Sequence, residues 1–250
     1  MAQIQKQKVR LTDLLRDTIK DLRKTYNKRG DVLSKELDRG ASYVSQLENG
    51  KIRDIEFDLL DFHKYKELEK QISKSVNGTW DCLINNVSII NRKSFLTTDV
   101  DDLDKVFDLN LKSVILISQI FAKNNIKNKT AGNIINISSV ASIEYSNSEK
   151  QFSYSLSKSL LNNLTKFLGA SLGKYHICVN CLVLGNLSFG MTKKDRSDSE
   201  FNTLISNTKL NTPTNSIVSK SSIIESFSFL LHCNFDFTGN IIFLDGGYSL

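Results

Sequence analysis

Two different hydrophobic patterns divide the chain. Within residues 1–50, apolar positions three and four apart predict a helix near residues 11–22 and two short helices over residues 31–38 and 41–48. A tight turn at Arg39-Gly40 joins the short helices, and Asn49-Gly50 ends the second one. Two short helices joined by a glycine-containing turn are typical of a helix-turn-helix, so we predict a small all-α module over residues 8–50.

The segment from Ile52 to Ile72 has two interpretations. It can supply the closing helices of the module, which would then extend to about residue 65. Alternatively, the region of residues 52–59 forms a strand, and a helix begins at Asp61.

From residue 81 onward, short apolar strands alternate with helices. Strands are predicted at residues 80–86, 132–139, 177–184 and 240–244, with helices around residues 103–117 and 153–173. This alternation predicts an α/β domain over residues 51–250, built on an incomplete doubly wound parallel sheet. In such sheets functional groups gather at the carboxyl ends of the strands, which is where Asn85, Ser139 and Gly185 fall.

The net charge of +6 comes entirely from the first fifth of the chain. Residues 1–53 hold 13 Lys and Arg against 7 Asp and Glu, whereas residues 54–250 hold 20 of each. Such asymmetry favours a polyanionic partner, with nucleic acid as the first candidate. A solvated basic helix surface is the alternative explanation.

The composition excludes several classes of protein. No stretch of the 250 residues approaches 18 uninterrupted apolar positions, so no membrane span is predicted. The N-terminus carries no apolar signal-like segment, which predicts a cytoplasmic protein. Four cysteines are too few for a disulfide framework. Cys178 and Cys181 lie in one predicted strand, where residues three apart face opposite sides, so no metal site is predicted.

The sequence LSKELDRGASYVSQLENGK, residues 33–51, resembles the Cro/C1-type (XRE) helix-turn-helix family. The family pattern runs close to LAxxLGxSxSYISQxENGK, and the chain matches it without gaps. The resemblance implies that Ala41, Ser42 and Gln46 face the base edges of duplex DNA, with Lys51 near a phosphate. Asp38 replaces the usual glycine of the turn. A three-helix module for protein contacts is the alternative.

Six motifs between residues 51 and 250 resemble, in order, those of the short-chain dehydrogenase/reductase family. They are LINNVSI with Asn85 and Asn86, VFDLNLKSV with Asn110, INISSVAS with Ser139, YSLSK from Tyr154 to Lys158, CVNCLVLG ending in Gly185, and TGNIIFLDGG from Thr238 to Gly247. The resemblance implies a Rossmann-like fold, an NAD or NADP cofactor and a small carbonyl or alcohol substrate. It also implies a homo-oligomer, because these reductases commonly associate through their helices.

The resemblance assigns catalytic roles to Asn110, Ser139, Tyr154 and Lys158. Lys158 follows Tyr154 by four residues on one helical face, so its charge can lower the pKa of the tyrosine. Ser139 can hydrogen-bond the substrate oxygen, and Asn110 can hold the helix geometry and a water that relays protons. Cofactor contacts are expected from six residues: Asp58, Asn85, Asn86, Lys158, Gly185 and Leu187.

One family motif is missing from the sequence. The TGxxxGxG turn binds the cofactor pyrophosphate through backbone amides, but residues 1–50 contain only Gly30, Gly40 and Gly50. We therefore expect impaired cofactor binding, in the millimolar range or absent. The leading hypothesis is an oxidoreductase-like domain fused to a DNA-binding-type module. The alternative is a DNA-binding transcriptional regulator whose reductase-like part is a dimerisation or sensor remnant.

Overall fold

The computed structural model describes residues 55, 57–75, 80–143, 150–188 and 196–250. The chain divides into two compact units after residue 78. The predicted helix-turn-helix and its residues Ala41, Ser42, Gln46 and Lys51 lie outside the described residues, as does the predicted boundary at residue 50. No helix in the described ranges is long and apolar enough to cross a membrane.

The described part of the first unit is a short helical segment. A 3-10 turn at Phe62–Lys64 leads into helix α1, Tyr65–Ser75. Residues 57–60 form a loop and a turn, and the rings of Phe57 and Tyr65 meet edge to face at 5.4 Å. The helix expected from about Asp61 is therefore confirmed, whereas residues 57–60 are not a strand.

The second unit alternates strands and helices, as the sequence predicts. In chain order its elements are β1 Cys82–Asn85, α2 Val100–Phe107, α3 Ser113–Asn128, β2 Gly132–Ser139, α4 Phe152–Leu172, β3 Ile177–Leu184, α5 Asp198–Asn211, α6 Lys220–His232 and β4 Ile241–Leu244. The four strands form one sheet in the order β1-β2-β3-β4, and every pair is parallel. The carboxyl ends of β1, β2 and β3 therefore lie along one edge of the unit.

Helices cover both faces of this sheet. On one face Ile135 and Leu182 pack with Phe227 and Leu230 of α6. On the other face Ile134 packs with residues of β3 and with Phe121 of α3. Neighbouring residues of a strand point to opposite faces, and Ile134 and Ile135 are both buried, so β2 buries both of its sides. These observations confirm a doubly wound α/β arrangement.

Two features of the second unit differ in detail from the prediction. The helix expected around residues 103–117 is interrupted by a π-helical turn at Asp108–Lys112, which separates α2 from α3. Helix α6 was not predicted, although Ser219 caps it by accepting a hydrogen bond from the Ser222 N–H. Helix α5 follows residues 189–195, which lie outside the described part of the chain.

Candidate active site

A pocket of about 410 Å³ opens where β2 and β3 end. Its walls include Ser139, the last residue of β2, and Tyr154, in the first turn of α4. Asn186, two residues beyond β3, contributes a third wall. Two of the predicted catalytic residues therefore share one cavity at the carboxyl edge of the sheet.

Tyr154 and Ser139 line this cavity together, close enough for the Ser139 side chain to act on the pKa of the tyrosine. Ser139 is also held in place, because its Oγ accepts the Ala141 N–H at 3.2 Å and so caps the 3-10 turn Val140–Ser142. Burial raises the pKa of Tyr154, and the Ser139 hydrogen bond and the charge of Arg92 oppose that shift. A phenol with a raised pKa stays protonated at neutral pH and can donate its proton.

Lys158 lies one helical turn beyond Tyr154 and is almost fully buried. Its Nζ donates a hydrogen bond to the Ile137 carbonyl at 2.8 Å and lies 5.7 Å from the centre of the Tyr154 ring. Burial lowers the pKa of Lys158 to about 8. The groups that lower the pKa of Tyr154 in the structure are Ser139 and Arg92. The lowering expected from Lys158 stays a prediction.

Asn110 lies in the π-helical turn, fully buried and outside the pocket wall. Its Oδ1 accepts the Ile89 N–H at 2.8 Å, and its Nδ2 donates to the Ile89 carbonyl at 2.9 Å and to Ser157 Oγ at 3.0 Å. Ser157 in turn donates to the backbone carbonyl of Tyr154 at 2.7 Å. Both amide hydrogens of Asn110 are used within the protein. The expectation that Asn110 holds the helix geometry fits this arrangement, and the relay of protons through a bound water stays a prediction.

The predicted cofactor residues occupy different settings. The buried Asn85 donates from Nδ2 to Asn136 Oδ1 at 2.8 Å and to Ser118 Oγ at 3.2 Å, so its amide holds β1 to its neighbours. Asn86 follows it and is exposed. Asp58 belongs to the first unit, where its Oδ1 accepts the Leu60 N–H at 3.0 Å.

Gly185 and Leu187 flank the pocket residue Asn186. A Cβ on Gly185 would lie 2.9 Å from the Asp245 Cα, so glycine allows the end of β3 to approach the end of β4. The Gly185 N–H donates to the Leu244 carbonyl at 3.0 Å, and Leu187 pairs with Val218 in an isolated parallel bridge. Both residues therefore shape the loop beside the pocket, and their cofactor contacts stay predictions.

Several pocket residues carry no motif. Arg92, Gln151, Arg196 and Tyr248 all line the cavity, together with residues of α5. One sequence signal was available: Arg92 and Arg196 are the only arginines after residue 53, and both line this pocket. Sequence spacing could not show that these two arginines share a pocket, because more than a hundred residues separate them.

A nicotinamide dinucleotide, implied by the resemblance, can be tested against these groups. Lys158 Nζ makes one hydrogen bond within the described residues, which leaves two ammonium hydrogens for an acceptor such as a ribose hydroxyl. Tyr154 and Ser139 add two hydroxyls at the adjoining wall. This donor set fits the nicotinamide-ribose end of such a cofactor. Residues 1–50, whose sequence lacks the family's pyrophosphate-binding turn, lie outside the described part of the chain.

Comparisons with known proteins agree with this geometry. A family model described as enoyl-(acyl carrier protein) reductase matches residues 31–249. Carbonyl reductase [NADPH] 2 of Sus scrofa is 32% identical over 173 residues, which cover 68% of each chain. A 2-dehydro-3-deoxy-D-gluconate 5-dehydrogenase of Formosa agariphila is 32% identical over 188 residues, or 74% of this chain and 69% of the relative.

The structural comparison extends the likeness to the fold. A solved structure of 4-hydroxyisoleucine dehydrogenase complexed with NADH is 26% identical, with a TM-score of 0.66 over 78% of this chain and 79% of the other. Three further curated relatives are matched over only about half of their own length, at 48%. The match from residue 31 to 249, the relatives and the shared fold together show that the chain belongs to the short-chain dehydrogenase/reductase family.

Proposed function

We propose that this protein is an NAD(P)-dependent oxidoreductase that interconverts a small carbonyl compound and its alcohol. The observation that carries the proposal is that Tyr154 and Ser139 line the same open pocket, with the buried Lys158 one turn away. The relatives named carbonyl reductase and 2-dehydro-3-deoxy-D-gluconate 5-dehydrogenase support the same reaction class.

Each polar group of the site has a distinct task. The Ser139 hydroxyl hydrogen-bonds the substrate oxygen and orients it toward Tyr154. In the direction of reduction, the Tyr154 hydroxyl gives its proton to that oxygen, because burial keeps the phenol protonated at neutral pH. The positive charge of Arg92 stabilises the phenolate that remains. Asn110 and Ser157 hold the first turn of α4, and with it Tyr154, in position.

The cofactor would lie beside these groups. Lys158, with its two remaining ammonium hydrogens, would hold the ribose next to the nicotinamide, and Asn86 and Leu187 would adjoin it. When bound, a nicotinamide cofactor supplies or accepts hydride at the substrate carbon. The oxidation direction requires the Tyr154 phenolate, so it is expected to become faster as the pH rises, whereas reduction is favoured at lower pH.

Cofactor affinity is proposed to be low. Residues 1–50 lack the TGxxxGxG turn, and losing a charge-assisted phosphate site removes several hydrogen bonds of roughly 1.5–3 kcal/mol each. We expect Kd values in the millimolar range for NADH and NADPH when nicotinamide fluorescence is titrated with the full chain. Micromolar binding would mean that residues 1–50 contain a phosphate site without the TGxxxGxG pattern.

The activity test uses millimolar NADH or NADPH with a panel of small carbonyl compounds, followed by nicotinamide absorbance. Wild-type turnover that Tyr154→Phe abolishes is the expected result, because only the proton-donating hydroxyl is removed. Tyr175→Phe is the matched control, since Tyr175 lies half-exposed beyond the far end of α4 and outside this pocket. Equal turnover by Tyr154→Phe and wild type would refute the proposed role of the tyrosine.

The ungapped match of residues 33–51 to the XRE family supports a second candidate function, DNA binding by the N-terminal segment. The family match that begins at residue 31 overlaps this segment, so the two assignments compete for the same residues. A phosphate-driven complex must weaken steeply as salt is raised. This function is supported if the chain binds duplex DNA at low salt and if Gln46→Ala and Lys51→Ala weaken that binding. If the chain binds no duplex DNA at low salt, the DNA-binding function is wrong.

Self-association is proposed to use helix α4. Leu156, Leu160 and Phe167 are exposed and recur at helical spacing along it, with Phe167 69% exposed. An apolar stripe of this kind is costly to leave in water. Sedimentation of wild type and Phe167→Lys is expected to show an oligomer that the lysine dissociates.

A further inference from the structure

The charge of the active-site pocket points to the kind of substrate it binds. Every charged side chain that lines the pocket within the described residues is an arginine, Arg92 or Arg196. The two arginines are also the only ones between residue 54 and the C-terminus, so both arginines of this part of the sequence line one cavity. A pocket with this charge disfavours cationic substrates and favours anionic ones.

Arg92 is held beside the reacting groups by the backbone on both of its sides. Three residues before it, the N–H and carbonyl of Ile89 are both bonded to Asn110. Directly after it, the Lys93 carbonyl accepts the Phe152 N–H at 3.2 Å, at the start of the helix that carries Tyr154. Arg92 lines the same pocket as Tyr154, and its charge makes the smaller of the two contributions that oppose the raised pKa of the tyrosine. The guanidinium therefore lies near the place where the substrate oxygen docks.

The acidic residues closest in sequence to Arg92 are already paired with another cation. Lys93 Nζ lies 2.6 Å from Asp102 Oδ2 and 3.1 Å from Asp99 Oδ2. Arg92 itself forms no salt bridge with an acid in the described part of the chain. Its guanidinium can thus present a planar pair of N–H donors to an incoming anion, the geometry that matches a carboxylate.

Arg196 adds a second positive charge immediately before α5. It is partly balanced by Glu200, whose carboxylate accepts from Ser197 N–H at 2.9 Å and Ser197 Oγ at 2.7 Å, and whose pKa the charge of Arg196 helps to lower. Arg196 therefore raises the positive potential on the α5 side of the pocket. The cavity of about 410 Å³ is at the small end of the usual range for small-molecule sites.

We propose that the substrate is a small oxo or hydroxy acid whose carboxylate pairs with Arg92 while its carbonyl or hydroxyl oxygen meets Tyr154 and Ser139. This assignment rests on the proposed oxidoreductase function, which it narrows to one substrate class. It gives the pocket two fixed points, one for the reacting oxygen and one for the anionic group.

The first test measures binding without catalysis. Succinate and its neutral isostere succinamide are titrated into the full chain by calorimetry at equal ionic strength. We expect succinate to bind and succinamide not to, and Arg92→Gln to weaken succinate roughly ten- to a hundred-fold, as expected for loss of a charge-assisted pair. Lys105→Gln, which removes the same charge from an exposed position on α2 outside the pocket, should leave the Kd unchanged.

Three outcomes would overturn the assignment. They are equal binding of succinate and succinamide, an unchanged succinate Kd in Arg92→Gln, or Lys105→Gln and Arg92→Gln weakening succinate alike. Inorganic phosphate is titrated in parallel, and Arg92-dependent binding of phosphate tighter than that of succinate would assign a phosphate ester instead of a carboxylate.

The second test separates this inference from the proposed function. Turnover of an oxo acid is compared with turnover of its methyl ester. Wild type is expected to have a higher kcat/KM for the acid than for the ester, and Arg92→Gln is expected to lose this preference. If the ester is preferred, the oxidoreductase function stands and the carboxylate assignment is wrong. If wild type turns over neither compound while succinate still binds through Arg92, the proposed function is wrong and the anion site remains.

Discussion

Replacing Asn110 with alanine tests whether this residue stabilises the site by joining three segments. The substitution removes hydrogen bonds to the Ile89 N–H, the Ile89 carbonyl and Ser157 Oγ. Ser157 keeps its bond to the Tyr154 carbonyl, so the two backbone groups of Ile89 bear the loss. Each unsatisfied group costs about 1–3 kcal/mol when buried, and Ile89 is only half-buried, so we expect about 2–4 kcal/mol in total.

The chain contains a suitable reporter for this measurement. Trp80 is its single tryptophan, lies in the second unit and packs edge to face on Phe121 at 5.3 Å. Urea unfolding followed by tryptophan fluorescence therefore reports on the unit that holds the pocket. Asn163→Ala is the control, because Asn163 is exposed on α4 and makes a single bond to the Ser159 carbonyl at 3.2 Å.

The comparison gives a clear decision. Asn163→Ala should change the free energy of unfolding by less than about 0.5 kcal/mol. If Asn110→Ala costs no more than this control, the bonds to Ile89 do not stabilise the fold. The substitution should also lower kcat more than Asn163→Ala does, since the loop anchored at Ile89 carries the pocket residue Arg92.

Two further predictions concern packing and pH. Gly169→Ala should lower the free energy of unfolding by about 1–3 kcal/mol, because a Cβ there would lie 2.7 Å from the Gly239 backbone. Gly173→Ala is the control: its Cβ would meet nothing closer than 3.9 Å, so the substitution should be neutral or slightly stabilising. Equal urea midpoints for the two variants would contradict this prediction. Burial lowers the pKa of Lys158 to about 8 in the folded state, whereas an unfolded lysine has a pKa of about 10.4. Between these two pH values the unfolded state binds more protons than the folded state, so the free energy of unfolding rises with pH. Below about pH 8, burying Lys158 lowers the free energy of unfolding by about 3 kcal/mol. Cys181, whose pKa burial raises to about 11, acts in the opposite direction, so the measurement is the difference between wild type and Lys158→Met at pH 7 and pH 10.5, and a difference independent of pH would refute the lowered pKa.

Local sequence pattern was sufficient to predict the layers of the second unit. The strands at 132–139 and 177–184 are where the sequence predicts them, because strands buried on both faces of a parallel sheet are rich in Ile, Val and Leu. The spacing of Tyr154 and Lys158 predicted that they share one face of a helix, because residues four apart are neighbours on a helix surface. Ser139 and Asn85 fell at strand ends that a parallel sheet must bring to one edge.

Tertiary structure alone decided what surrounds those residues. Arg92 and Arg196 are far apart in sequence and line the same cavity only because the loop after β1 and the segment before α5 converge there. The partners of Asn110 lie 21 and 47 residues away from it, so no local pattern could show that its amide joins a loop to helix α4. The pKa of Tyr154 likewise depends on burial and on Arg92, which are properties of the folded chain. Periodicity determines which residues share a helix or strand, whereas the distances between elements, and hence the charge and shape of the pocket, exist only once the elements have packed.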